Sequence, residues 1–214
     1  MHTKTKIHVC WKRSLGGVVC ALSLFLGGMA CQPALPEEAP SVPSETARIK
    51  FKSVKRLANN LSVALGLPKS ALCKELGTYD CFSKDAHSVT LGGVEPYVQR
   101  INNPWKLPPL SAPIAVDRVA LASCQARVKQ DFADANKALI FAPLVGVSNP
   151  NEGARREVVV TLYKRFFLRL PTNEQASKWV GFWDTVTSSS QQPAQDWATL
   201  VCFGIASSTE FLFY

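Results

Sequence analysis

The amino-acid sequence predicts an all-α fold: an irregular helical domain of about six helices with one long proline-rich loop, behind a signal segment and a tether. Apolar residues recur at helical spacing over residues 47–66, 113–135 and 154–170. Prolines and a Thr–Gln pair stand where helices would start, and Gly66 and Gly77 where they would stop. Alternation of the kind a strand needs is confined to one short run, 87–91.

The N-terminus comes first. Lys4, Lys6, Lys12 and Arg13 precede an apolar run over residues 15–30, and no acid occurs before Glu37. That charge layout is that of a secretory leader. The run has 16 residues, four of them glycine, which is short of the about 20 apolar residues a spanning helix needs. It ends in Gly28-Met29-Ala30-Cys31, which resembles the lipobox of bacterial lipoprotein signal peptides. The resemblance covers residues 1–31 and departs from the family at Gly28, where leucine is usual. It implies lipidation (palmitate) of Cys31, cleavage before it, and, since Gln32 is not aspartate, sorting to the outer membrane. A plain signal peptide cut after Ala30, giving a secreted or periplasmic protein, and an uncleaved anchor are the alternatives.

Residues 31–46 carry Pro33, Pro36, Pro40 and Pro43 among acids and hydroxyl residues. Such a composition builds no core and reads as a tether with a reach of roughly 45 Å in extended form. Four basic groups and no acid leave with residues 1–30, so the formal charge of +8 falls to +4. That balance gives no nucleic-acid signature.

The folded part, 47–214, opens with a strongly amphipathic helix over 47–66. Phe51, Val54, Leu57, Ala58, Leu61 and Leu65 form its apolar face, with Lys52, Lys55, Arg56, Asn59 and Asn60 opposite. The basic face is either solvated or set against anionic lipid. Pro68 then opens a short helix over 68–76, closed by Gly77.

Helical periodicity stops over 78–111, a stretch with Gly92-Gly93 and several prolines. Unstructured segments of this length inside a domain are uncommon and are often functional. His87, Glu95, Tyr97, Arg100 and Trp105 gather here, which makes it the candidate binding loop; the alternative is a structural loop whose aromatics cap helices.

Pro113 starts a helix running to about residue 135, with Leu121, Cys124, Val128 and Phe132 as its apolar stripe and Asp117 in the first turn as a helix-dipole partner. Pro143, Gly146, Pro150 and Gly153 mark a loop, 143–153, and a possible subdomain boundary. The helix over 154–170 has a wide apolar arc of Val158, Val159, Leu162, Tyr163 and Phe166. Pro171, Thr172 and Gln175 form a capped start for the next, which carries Trp179, Phe182 and Trp183. Pro193 begins the last helix, apolar all round and therefore central; its small Gly204 and Ser208 are expected to face the helix bearing Leu162 and Phe166.

With Cys31 assigned to lipid, four cysteines remain in the mature chain: Cys73, Cys81, Cys124 and Cys202. In an oxidising compartment an even set reads as two disulfides, although four cysteines allow three connectivities. The local pair Cys73–Cys81, with Cys124–Cys202 tying the halves, is favoured over the other two pairings and over four buried thiols.

The C-terminal sixty or so residues are similar to helical domains of uncharacterised exported bacterial proteins that also carry cytochrome-like modules. The matching positions are Leu162, Tyr163, Arg165, Arg169, Pro171, Thr172 and Glu174, then Ser208, Glu210, Phe211 and Tyr214. The resemblance implies a helical fold and an accessory role in an exported redox or degradative complex.

Catalytic signatures are few. The mature chain has one histidine, His87, so a two-imidazole metal site is excluded and any triad would depend on that residue. No haem-attachment motif, nucleophile elbow or phosphate-binding glycine loop occurs. The expectation is a non-enzymatic, lipid-anchored envelope protein without cofactor or metal, whose helical domain binds or scaffolds an envelope partner, with no role in binding nucleic acid.

Overall fold

The computed structural model of the chain describes residues 49–97, 99–103 and 108–214; the leader, Cys31, the tether and Trp105 lie outside them. The described residues belong to one compact unit, Thr46–Tyr214. It is helical apart from a two-stranded hairpin: α1 (Val54–Leu65), β1 (Lys74–Glu75), β2 (Tyr79–Asp80), α2 (Ala112–Ala133), α3 (Glu152–Phe167), α4 (Asn173–Thr187), α5 (Pro193–Ala206) and α6 (Thr209–Leu212).

The first helix is shorter than its periodicity predicts because residues 50–52 bond elsewhere. Lys50 and Tyr214 exchange two backbone hydrogen bonds of 3.0 Å, and Lys52 N–H donates to the Leu212 carbonyl at 2.9 Å. Phe51 lies opposite Phe213, their rings edge to face. Backbone groups that would otherwise start the helix are thus satisfied by the other end of the chain. Lys52, expected on the solvent face, is buried: its ammonium donates to the Phe211 carbonyl and lies 3.8 Å from the Phe211 ring centroid. Burial, then repulsion from Arg56, pulls its pKa below the usual lysine value.

The expected helix over 68–76 is instead a 3₁₀ turn, Lys69–Ala71, followed by the β1–β2 hairpin. Leu76 and Gly77 both adopt left-handed conformations, φ 51° and 76°, which reverses the chain. The Cys73–Cys81 disulfide closes the hairpin with its Cα atoms 5.5 Å apart. Likewise the expected strand over 87–91 is a run of turns, with backbone bonds such as Leu91 N–H to the His87 carbonyl, 2.9 Å. Apolar alternation over five residues loses here because no second strand is placed beside it.

α2 and α5 form the centre. Cys124 and Cys202, both fully buried, join them with Cα atoms 5.8 Å apart. On α2 the expected stripe is displaced: Cys124 and Val128 are buried, Leu121 and Phe132 only half so, and the core face runs instead through Val116, Ala120, Ser123, Arg127 and Asp131. Two charges sit inward because they satisfy each other. Arg127 and Asp131 form a buried i,i+4 pair, and the Asp131 carboxylate accepts the backbone N–H groups of Leu139, Ile140 and Phe141, each at 2.9 Å. That carboxylate therefore folds the chain beyond α2 back onto the helix.

α3 is capped by Asn151, whose side chain accepts from Ala154 N–H. α4 begins with a full capping box between Thr172 and Gln175. In α5 the core ring system is Trp197, which donates from Nε1 to the Trp179 carbonyl at 3.1 Å and packs edge to face on Trp183. The neighbour of Gly204 is not the Leu162–Phe166 face of α3 but Trp179 of α4: a Cβ there would lie 2.5 Å from the Trp179 ring. Gly204→Leu is expected to displace that ring, break its 3.2 Å Nε1–H bond to the Tyr163 hydroxyl, and cost roughly 1–3 kcal/mol by overpacking. A thermal melt indistinguishable from the parent protein would remove Gly204 from the list of close contacts.

Candidate functional site

The candidate loop resolves into two separate constructions. In the first, β1 carries Glu75, whose carboxylate lies between the His87 ring and the Arg118 guanidinium. His87 Nε2 is 2.7 Å from Oε1, Arg118 Nε is 2.9 Å from Oε1, and Arg118 Nη2 donates to Oε2 at 3.0 Å. The disulfide fixes β1, the turns over 83–92 bring His87 back to it, and α2 supplies Arg118 from its second turn. The His87 hydrogen bond, with a smaller contribution from Arg118, holds the Glu75 carboxyl below its ordinary value of 4.5 despite partial desolvation.

In the second, Glu95 and Ile101 exchange two backbone hydrogen bonds of 2.9 and 2.8 Å. The Glu95 side chain is buried and accepts from Tyr97 N–H at 3.0 Å and Gln99 N–H at 3.3 Å, so its carboxylate is spent on shaping the loop it sits in. Tyr97 is 90% exposed at the tip, and Arg100 adopts a left-handed φ of 55°. Thus Glu95, Tyr97 and Arg100 share one small loop while His87 belongs to the Glu75 cluster.

A shallow cleft of about 220 Å³ runs beside the cluster, bounded by Cys73, Glu75, Arg118, Leu121 and Gln125. Leu121 and Gln125 also border a second cleft of about 410 Å³ between α2, α4 and α5, with Phe182, Val186 and Leu200 on its apolar side and Ser190 and Asp196 on its rim. The two recesses adjoin on one side of α2. Sequence reasoning passed over Glu75 and Arg118. The available signal was an acid inside a predicted disulfide loop, since a clipped hairpin presents such a residue rigidly.

Chemically the cluster can orient and hold a charged group. Among the described residues no hydroxyl or thiol is hydrogen-bonded to His87, all four cysteines are in disulfides, and no group of three metal-ligating side chains converges. No described helix is long and apolar enough to cross a membrane.

Several of the C-terminal motif positions make packing and capping contacts. Arg169 grips Glu210 through two bonds of 2.7 Å and reaches the Gln175 side chain at 3.1 Å, joining the α3–α4 turn to α6. Arg165 donates to the carbonyls of Val63 and Ala64 at the end of α1, Ser208 caps α6, and Phe211 packs edge to face on Phe166. Comparison with known protein families, with curated proteins and with solved structures finds no match to the chain.

The Glu75 cluster makes a pH prediction. A carboxyl with a lowered folded pKa contributes stability that is complete above its unfolded value and lost as the pH falls through its folded value. Denaturant midpoints measured from neutral pH to well below 4.5 should therefore fall less steeply on the acid side for Glu75→Gln than for the parent. Parallel acid limbs would show that the carboxylate gains nothing from His87 and Arg118.

Proposed function

We propose that the chain is a lipid-anchored cell-envelope protein, attached through Cys31 to the outer membrane, whose helical unit is a non-catalytic binding or scaffolding module. The observation that carries this reading is the pair of disulfides in the unit that follows the secretory-type leader, because disulfides form and persist in oxidising, extracytoplasmic compartments. The adjoining clefts along α2 supply the binding surface for an envelope partner. The accessory-subunit reading draws on the C-terminal motif, in which Arg169, Glu210 and Ser208 also have contacts within the fold.

Metabolic labelling with palmitate tests the attachment. The parent chain is expected to carry label and to sediment with membranes, and Cys31→Ala to lose both. Retention of a full-length Cys31→Ala chain in the membrane would establish an uncleaved anchor instead. An unlabelled mature chain beginning at Cys31 would establish plain secretion.

A further inference from the structure

The two ends of the folded unit meet in the ribbon of residues 50–52 and 212–214, and the surface around it is both apolar and basic. Ile49, Phe213 and Tyr214 wall a shallow recess of about 520 Å³ with Thr209 and Glu210. Ile49 is 75% exposed and Tyr214 54%, an unusual investment of large apolar side chains in solvent at one place. Lys50, paired with Tyr214, and Arg56 are exposed there, and the Arg56 guanidinium stacks 3.9 Å from the Tyr214 ring centroid. The one acid that lines the recess, Glu210, is compensated by its two bonds to Arg169.

We propose that this end face docks on an anionic phospholipid bilayer. The inference rests on the lipid-anchored reading of the chain. Seventeen residues separate Cys31 from Ile49, and Ile49, the first described residue, is itself part of the recess wall. The chain that leads from Cys31 thus joins, in sequence, a face that combines apolar side chains, an arginine-stacked tyrosine and a surplus of cations. Tyrosine with a wet end and an apolar body belongs at the headgroup layer, and each exposed cation near an anionic leaflet contributes about fivefold to partitioning. Tethering supplies a high effective concentration, so even weak intrinsic affinity holds the face down.

The test uses the unlipidated chain from Gln32 to Tyr214, which retains the whole compact unit Thr46–Tyr214, and so is independent of whether Cys31 is acylated. Cosedimentation with vesicles of two parts phosphatidylcholine to one part phosphatidylglycerol is expected, with little binding to phosphatidylcholine alone and release near 1 M salt, where the Debye length is about 3 Å. The pair Lys50→Glu and Arg56→Glu is expected to weaken binding about tenfold or more, Tyr214→Ser to weaken it too, and Lys129→Glu on α2 to act as a charge control with a small effect. Arg56→Gln, which keeps the ribbon untouched, serves if the double variant melts early. Equal binding to both vesicle types, or an equal loss with Lys129→Glu, would overturn the proposal. So would a dimer that Tyr214→Ser disperses in a protein that ignores lipid, since the face would then join two copies. A chain that binds these vesicles but takes no palmitate would fail the anchor reading alone.

Discussion

Replacing Cys124 and Cys202 together by alanine is expected to destabilise the protein by about 4.5 kcal/mol, the larger of the two disulfide effects. The bond closes a loop with a sequence separation of 78, against 8 for Cys73–Cys81, and loop-closure entropy in the unfolded chain grows with that length. By the same relation the hairpin bond contributes about 2.5 kcal/mol. For a unit of this size the larger loss corresponds to a fall in Tm of roughly 10–18 °C. Burial increases the dependence: both cysteines are fully enclosed between α2 and α5, so their removal also leaves a gap in the central packing. Denaturant unfolding of the double variant, compared with the parent under oxidising and reducing conditions, measures it. A difference below about 1 kcal/mol would mean that the unfolded chain is already restricted and that the crosslink is not the staple of the core.

What the sequence made legible and what it hid divide along the reach of the interactions. The capping box of Thr172 and Gln175 is four residues of local chemistry, and it forms as read. The apolar arc of α3 is equally local and is buried where expected, whereas α5, apolar all round, buries one side and leaves Leu200 on an open cleft. The cysteine pairing that spacing favours is the one present. The start of α1, by contrast, is decided by Leu212 and Tyr214, about 160 residues away, and no helical periodicity near residue 50 reports on them. The sequence marks Gly204 as a small residue at a close approach, but its neighbour, Trp179, depends on how α4 crosses α5. Of the candidate loop residues, Glu95 turned inward to its own backbone and His87 to Glu75. Sequence proximity grouped them; hydrogen bonding separated them.

Asp131→Ala is expected to cost about 3–5 kcal/mol, because it strips the partner from a buried guanidinium. The effect should be asymmetric within the pair. Asp131 accepts from Arg127 and from three consecutive backbone N–H groups, those of Leu139, Ile140 and Phe141. Its loss leaves those donors, of which Ile140 and Phe141 are buried, without their acceptor, as well as the cation. Arg127 has a weaker set of other partners: Nη1 reaches the Leu65 carbonyl at 3.5 Å, and Nε is buried with no partner at all. Arg127→Met removes a poorly satisfied cation, fills its volume and leaves the carboxylate with three donors, so it should cost less than Asp131→Ala by about 1–2 kcal/mol. The double variant Arg127→Met with Asp131→Leu should not recover parental stability, as a buried ion pair swapped for apolar residues often does, because residues 139–141 still lack their acceptor. Hydrogen exchange gives the local readout: protection at Leu139, Ile140 and Phe141 is expected to collapse in Asp131→Ala and to persist in Arg127→Met. If Arg127→Met proves the more damaging of the two, or the double variant is as stable as the parent, the carboxylate is acting only as a counter-ion and the anchoring of the chain beyond α2 must come from the burial of Ile140, Phe141 and Leu144.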